Sequence, residues 1–299
     1  MNQTLVATLF AIATAFLYAV SKLLQMLEAE RMPDEDALKA RLVVRLAQRP
    51  RWLAGLAFDA AGYVTHAVAL GLAAVLYVEP ILASSLLIAL LLGAIFMHRP
   101  VARADWFAAL ALTVGLAVFL YMVHPEGDRD TGPIGRWLLV GGVALAIIVA
   151  STAIATRSTG SRRGALLGIA AGSAFGITAL LTKATMHYLG DGLTAPFTHW
   201  EPYALVLLAA AAFLLGQSAL QTGALGAAVG GIEAMTVLTG AVGGIVVLDE
   251  RVSMSGPYEI VCVVLAAIAI LAGILKLAST EERLVTNEPF VQLPVVRNP

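Results

Sequence analysis

Long apolar runs recur along the whole chain, and polar residues concentrate in the short stretches between them. Each run approaches the roughly 20 residues that an α-helix needs to cross a bilayer. Helices are expected, because the hydrocarbon core offers no partner for free backbone polar groups. The pattern predicts an all-α polytopic membrane protein with about nine transmembrane helices, at roughly 3–26, 52–70, 72–97, 104–123, 137–156, 164–188, 203–222, 225–248 and 257–277.

The amino-acid composition also indicates a membrane protein. Of the 299 residues, 59% are hydrophobic and 13% are charged, whereas a soluble domain carries about 25% charged residues. A formal net charge of −1 gives no electrostatic reason to expect a nucleic-acid partner. The single cysteine, Cys262, excludes an internal disulfide and a cysteine metal cluster. No basic residue precedes the first apolar run, so we interpret it as a retained span and not as a cleaved signal peptide.

The distribution of Lys and Arg predicts the orientation. Most basic residues lie in loops 27–51, 98–103 and 157–163 and in the C-terminal tail. Basic loops stay on the cytoplasmic side of a membrane. We therefore expect a multi-pass protein of the cell (plasma or inner) membrane, with its N-terminus outside and its C-terminus in the cytoplasm.

The longest of these loops carries an amphipathic pattern of its own. Acids open the segment PDEDALKARLVVRLAQRP, and apolar residues then recur at helical spacing at Leu38, Leu42, Val43 and Leu46. The pattern predicts a helix over about 33–49 that lies on the cytoplasmic membrane surface. A role in binding a partner stays open beside that of a solvated connection.

A ladder of small residues occurs twice in the chain. In the sixth span it consists of Gly164, Gly168, Gly172 and Gly176, and in the first span of Ala7, Ala11, Ala15 and Ala19. A shift of 161 positions (183 − 22) brings Lys22 onto Lys183 and three alanines onto three of the glycines. Spans one and six are an odd number of spans apart, so they cross in opposite directions. This predicts an inverted-topology repeat, as in many secondary transporters.

The repeat predicts four regions along the chain. Residues 1–127 form the first repeat of four spans, and 128–163 contain a linking fifth span. Residues 164–278 form the second, inverted repeat, and 279–299 are expected to be a disordered cytoplasmic tail.

Polar residues within apolar spans mark a candidate site, because a charge at membrane depth is costly unless it is paired or hydrated. Each predicted repeat offers one glutamate beside a weakened helix, Glu79 next to Pro80 and Glu233 just after Gly231. The expected substrate or ion pathway consists of Glu79, Glu233, Lys22, Lys183, Asp59, His66, Gln217 and Gln221. The two glutamates are the candidate metal ligands. Structural ion pairs, including one between Asp59 and Lys22, remain the alternative.

Several of these residues carry a resemblance to a known family. They are Trp52-x-x-Gly55, Gly62, Val78-x-Pro80, Lys22 at the end of span one and Glu250 in the L-D-E-R that ends span eight. The chain resembles the drug/metabolite transporter superfamily (EamA-like), most closely its branch of NIPA-type magnesium transporters, which has nine spans. The resemblance implies two inverted four-helix repeats around a central cavity, joined by the fifth span.

These features favour a secondary transporter that moves a small solute or cation by alternating access. Carboxylates suit Mg²⁺ as a substrate, whereas the two inward lysines suit an anionic, zwitterionic or lipid-linked metabolite. A membrane scaffold or accessory subunit of an envelope assembly is the alternative from another class. No phosphate loop, H-E-x-x-H or Ser/His/Asp cluster favours an enzyme. No cofactor is expected, the lipid bilayer is the main partner, and a homodimer stays open.

Overall fold

The computed structural model describes residues 3–29, 31–85, 87–88, 91–92, 125–127, 129–222, 225–252 and 261–269, with isolated positions between 107 and 118 and at 258 and 272. Within this part the elements are α1 (Gln3–Ala29), α2 (Ala40–Leu46), α3 (Pro50–Leu72), α4 (Val75–Leu82), β1 (Pro125–Gly127), α5 (Ile134–Ala155), α6 (Gly160–Gly190), α7 (Glu201–Leu220), α8 (Leu225–Val247) and β2 (Glu250–Val252). Short 3₁₀ turns cover Asp34–Asp36 and Ala195–Thr198.

Six helices are long and apolar enough to cross a membrane, namely α1, α3, α5, α6, α7 and most of α8. They coincide with six of the predicted spans, which confirms a helical, multi-pass membrane protein. The other three predicted spans, 72–97, 104–123 and 257–277, lie partly outside the described residues, and the tail 279–299 lies wholly outside them. The nine-span count, the inverted repeat and the four regions therefore stay predictions.

The centre of the bundle is α6. In its most apolar stretch 78% of the residues are buried, against 22% for α5. The glycine ladder explains this, because it brings α6 into backbone contact with α8. A Cβ on Gly168 or Gly172 would stand 2.3 Å from the carbonyl oxygen of Ala228 or Ile232, respectively. The close approach expected of the ladder is thus present, and the register of these contacts makes the two helices parallel.

A second pair, α1 and α3, packs antiparallel. Thr14 and Thr65 share a hydrogen bond of 2.7 Å, and Gly62 accommodates the ring of Tyr18. The alanine ladder of α1 is buried, with all four residues fully inaccessible to solvent. These contacts place Lys22 near the end of the bundle at which α1 ends and α3, α6 and α8 begin.

The segment 31–49 lies at that end, and we name it the connector and the end the connector end. Its helix is shorter than the predicted 33–49, because Leu38 has a φ of 61°, which interrupts helical geometry before α2. Leu42 and Leu46 are fully buried, and α2 packs against α7. The predicted surface helix therefore needs correction: its apolar face is covered by protein and not by lipid.

The opposite end carries the only strand pairing among the described residues. Strands β1 and β2 pair antiparallel, with Pro125 opposite Val252 and Gly127 opposite Glu250. This ribbon joins the chain that precedes α5 to the chain that follows α8. It fixes the backbone around Glu250, a residue that matters for the site below.

Candidate functional site

Near the connector end, a lysine of α1 meets a glutamate of α8. Lys22 forms an ion pair with Glu233, and its ammonium group donates to the hydroxyl of Ser85 at 3.3 Å. The lysine side chain is 26% exposed, while that of Glu233 is 8% exposed. The pair joins α1, from the first predicted repeat, to α8, from the second, and its lysine is only partly buried.

Asp59 lies beside this pair on α3. The hydroxyl of Ser21, the residue before Lys22, donates to the Asp59 carboxylate at 3.3 Å. The same hydroxyl accepts a hydrogen bond from the Gln25 amide at 2.7 Å. Lys22 pairs with Glu233, and Asp59 contacts the residue before it on α1, so the predicted Asp59–Lys22 bridge stays a prediction.

Toward the opposite end, the lysine of α6 is held in a different way. Lys183 pairs with Glu250 at 3.2 Å and donates to the carbonyl oxygen of Ala73 at 3.2 Å. The two oxygens of Glu250 accept the backbone N–H groups of Val75 and Leu76 at 2.7 and 2.9 Å. These N–H groups open α4 and have no partner within the helix. Glu250 therefore caps α4 and neutralises Lys183 at once.

The backbone after α8 explains how Glu250 reaches this position. Asp249 has a φ of 58°, in the left-handed region that ends helices, and Arg136 pairs with its carboxylate at 3.5 Å. The reversal folds Glu250 back along α8. A Cβ on Gly244 would stand 2.4 Å from a Glu250 oxygen, so only glycine leaves room for the carboxylate there.

Glu79 has a partner of its own in the interior. His66 Nε2 lies 3.0 Å from a Glu79 oxygen, and Tyr18 packs edge-on against the His66 ring. Glu79 lies beside Gly240, which is about 10 Å, or two helical turns, along α8 from Glu233. Mg²⁺ binds oxygens at about 2.1 Å, so the two glutamates do not share one coordination shell in this conformation. The described residues contain no group of three or more potential metal ligands.

The two predicted glutamines serve the connector end. Trp52 Nε1–H donates to Gln217 at 3.1 Å, and the Gln217 amide donates to Gln25. Gln221 donates to the carbonyl oxygen of Pro33 in the connector. These bonds tie α7 to α1, α3 and the connector. These contacts indicate that both glutamines position the helices at the connector end. They do not bring either glutamine to His66.

Sequence reasoning missed two of the residues that complete these contacts, Ser85 and Glu250. Nothing in the sequence distinguishes Ser85 from other small residues of its span. Glu250 was visible as the helix-ending glutamate of the resemblance, but its partner was not, because the partner depends on the reversal at Asp249. In the sequence, Glu250 is a charged residue just beyond a predicted span, and such residues are ordinarily expected to be solvated.

No protein-family model and no solved structure matches the chain. It is similar to an uncharacterised protein of Corynebacterium glutamicum, 27% identical over 284 residues, which covers 94% of this chain and 97% of the relative. The similarity extends over nearly the whole of both chains. It assigns no activity to either.

Proposed function

We propose that the protein is a secondary transporter that moves a small charged or zwitterionic solute, with the Lys22–Glu233 pair at its binding site. The observation that carries the proposal is the pair itself. It joins a helix of the first predicted repeat to a helix of the second, and its lysine side chain is 26% exposed. A charge inside a membrane bundle is costly to place and marks a functional site by default.

The two ends of the bundle support alternating access. The Lys183–Glu250 pair has side chains only 7% and 0% exposed, and we propose that it helps to close the opposite end. The Lys22–Glu233 pair lies nearer the connector end, where the basic connector and the 157–163 loop lie. By the positive-inside rule we propose that this end is cytoplasmic and that the substrate reaches the partly exposed lysine from it.

The chemistry of the site suits substrates that replace one partner of the ion pair. A cation such as Mg²⁺ would bind Glu233 and displace Lys22, whereas an anion would bind Lys22 and displace Glu233. A zwitterion would engage both. The resemblance to the drug/metabolite transporter superfamily supports a carrier, and its magnesium branch makes Mg²⁺ the first substrate to test.

The test is flux into proteoliposomes that contain a magnesium-sensitive dye. Wild type is compared with Glu233→Gln, and Glu201→Gln serves as the matched control, because Glu201 is a buried carboxylate bonded to Tyr188 away from the pair. We expect flux to fall more than about tenfold in Glu233→Gln, since a charged contact contributes at least about 1.5 kcal/mol, and to persist in Glu201→Gln. Equal flux in the two variants would remove Glu233 from the pathway.

If wild type moves no Mg²⁺, the same vesicles are tested for exchange of organic anions and amino acids, with Lys22→Gln in place of Glu233→Gln. Exchange that depends on Lys22 supports the carrier with an anionic or zwitterionic substrate. Wild-type vesicles that match empty ones for every solute would contradict the transporter proposal.

The scaffold alternative has an observation of its own in its favour. Glu79 and Glu250 are each 1% exposed and bonded in dry contacts to His66 and Lys183, as polar residues that hold helices together would be. A scaffold needs no solvent-accessible pair. The double variant Lys22→Met, Glu233→Met separates the two functions: a scaffold retains its cellular role with this apolar pair, and a carrier loses it.

A further inference from the structure

The connector is a docked segment with fixed side-chain positions. The Leu38 N–H donates to Ser218 of α7 at 2.9 Å, and Gln221, the residue after α7, donates to Pro33. Leu42 and Leu46 are fully buried beneath it. The polar residues on its outer side are therefore presented by a rigid base, which is what a preorganised binding site requires.

This outer side forms a concave pocket of about 580 Å³, lined by Arg31, Met32, Pro33, Arg45, Gln48 and Arg49. Three of the six residues are arginines, and Gln48 adds an amide donor. Arginine presents its N–H groups in a planar fork that matches the oxygens of a phosphate. The lining thus favours an anionic ligand with several acceptor oxygens.

Buried acids stand behind the arginines and hold them in place. Glu28 pairs with Arg31 at 3.2 Å, and Asp36 pairs with Arg45 at 2.5 Å. The acid side chains are 6% and 1% exposed, whereas those of Arg31 and Arg45 are 58% and 31% exposed. Each pair therefore leaves part of a guanidinium open to the pocket.

The lining of the pocket carries basic residues and no acidic one. Two of its three arginines pair with acids outside the lining, and Arg49 has no acidic partner among the described residues. Arg41, outside the lining, also pairs with Asp36, at 3.6 Å. A phosphate group would supply the negative charge that the lining lacks.

The pocket lies where the spans leave the hydrocarbon, since α1 ends at Ala29 and α3 begins at Pro50 on either side of it. Lipid phosphates occupy this level of a bilayer. We propose that the pocket binds a phosphate group at the membrane surface, from an anionic phospholipid headgroup or from a soluble phosphate compound. This site is separate from the Lys22–Glu233 pair and does not depend on the transport proposal.

The test measures lipid binding to the purified full-length protein in detergent by native mass spectrometry. Dioleoylphosphatidylglycerol is compared with dioleoylphosphatidylcholine, and inorganic phosphate forms a third arm as a competitor. The test variant carries two substitutions, Arg31→Gln and Arg49→Gln. It leaves the contact between Arg45 of α2 and Asp36 intact. The matched control is Arg157→Gln, an exposed arginine between α5 and α6 at the same end.

We expect wild type to prefer phosphatidylglycerol and the double variant to bind it at least about tenfold more weakly, because charge-assisted hydrogen bonds to phosphate are lost. The control should stay within about twofold. Arginine-dependent competition by inorganic phosphate supports the site with a soluble source, and its absence supports the lipid source.

Equal binding of both lipids, or phosphatidylglycerol binding that survives the double variant, overturns the lipid source. If inorganic phosphate binding is also independent of these arginines, the whole proposal is overturned. Melting in detergent verifies that the variants are folded. If the double variant does not fold, Arg49→Gln alone carries the test, since it leaves the three described arginine–acid pairs of this region intact. Unchanged phosphatidylglycerol binding in Arg49→Gln would then overturn the lipid source equally.

Discussion

Lys22 and Lys183 occupy equivalent positions in the predicted repeat, yet the structure gives them different surroundings. Lys22 pairs with Glu233 on α8 and remains 26% exposed. Lys183 pairs with Glu250, donates to the Ala73 carbonyl and is 7% exposed. Lys22 is held by side chains, among them Glu233 and Ser85. Lys183 belongs to a more buried network that Asp130 joins at its edge and whose Glu250 also caps α4.

This difference indicates that a substrate could replace the contact at Lys22, whereas the contact at Lys183 is structural. A substrate can take the place of Glu233 at Lys22 without leaving backbone groups unbonded. A substrate that displaced Glu250 would also strip the N–H groups of Val75 and Leu76 of their acceptor. We therefore place substrate binding at Lys22 and the closing of the opposite end at Lys183.

The largest expected effect comes from making the same substitution at both ends. Glu250→Gln takes the nearer charge partner from the buried Lys183, which keeps only Asp130, at 3.9 Å, and we expect it to lower the free energy of unfolding by about 3 kcal/mol. Glu233→Gln should cost only about 1 kcal/mol, because Lys22 is less buried than Lys183 and keeps its hydrogen bond to Ser85. Thermal unfolding of the two purified variants in detergent measures the difference.

A double-mutant cycle controls this experiment. Removing the charge of Lys183 by Lys183→Met should restore part of the stability lost in Glu250→Gln, since the buried ammonium group that lost its nearer partner is then absent. Equal melting temperatures for Glu233→Gln and Glu250→Gln would contradict the distinction between the two lysines.

The next largest effect on stability is expected where the glycine ladder of α6 differs from the alanine ladder of α1. Gly172 aligns with Ala11 (172 − 161 = 11), so Gly172→Ala makes the α6 ladder more like that of α1. Its new Cβ would stand 2.3 Å from the Ile232 carbonyl oxygen, and we expect a loss of about 2 kcal/mol from overpacking. Gly142→Ala on α5 is the matched control, because its Cβ would meet nothing within 4 Å. A melting temperature for Gly172→Ala as high as that of Gly142→Ala would show that α6 and α8 can separate without cost.

Much of this arrangement could be predicted from the sequence, and the limit has a physical cause. Hydrophobic run length located six spans, because the bilayer demands it, and the period of the glycine ladder identified the buried face of α6. The pairing of charges could not be predicted, since Lys22, Lys183, Glu79 and Glu233 allow several combinations. A single backbone reversal at Asp249 brings in Glu250 as a further partner and removes the symmetry that the repeat suggested.

The smallest expected effect compares two hydrogen bonds of α3, one to each predicted repeat. Thr182 aligns with Ser21 (182 − 161 = 21), and each hydroxyl contacts α3, Thr182 at Tyr63 (3.0 Å) and Ser21 at Asp59 (3.3 Å). Thr182 donates its proton to the carbonyl oxygen of Thr178 at 2.7 Å, so Tyr63 is the donor in the first contact.

Removing that donor by Tyr63→Phe leaves no unbonded group behind. We expect it to lower the free energy of unfolding by about 0.6 kcal/mol, as for other hydrogen bonds between membrane helices. Ser21→Ala should cost more, because it deprives the carboxylate of Asp59 of a donor near the Lys22 pair. Unfolding of the two variants in the same detergent gives the comparison. If Tyr63→Phe instead cost more than Ser21→Ala, the contact of α3 with α6 would be stronger than its contact with α1 at Ser21. The part of α3 near the connector end would then be held less firmly.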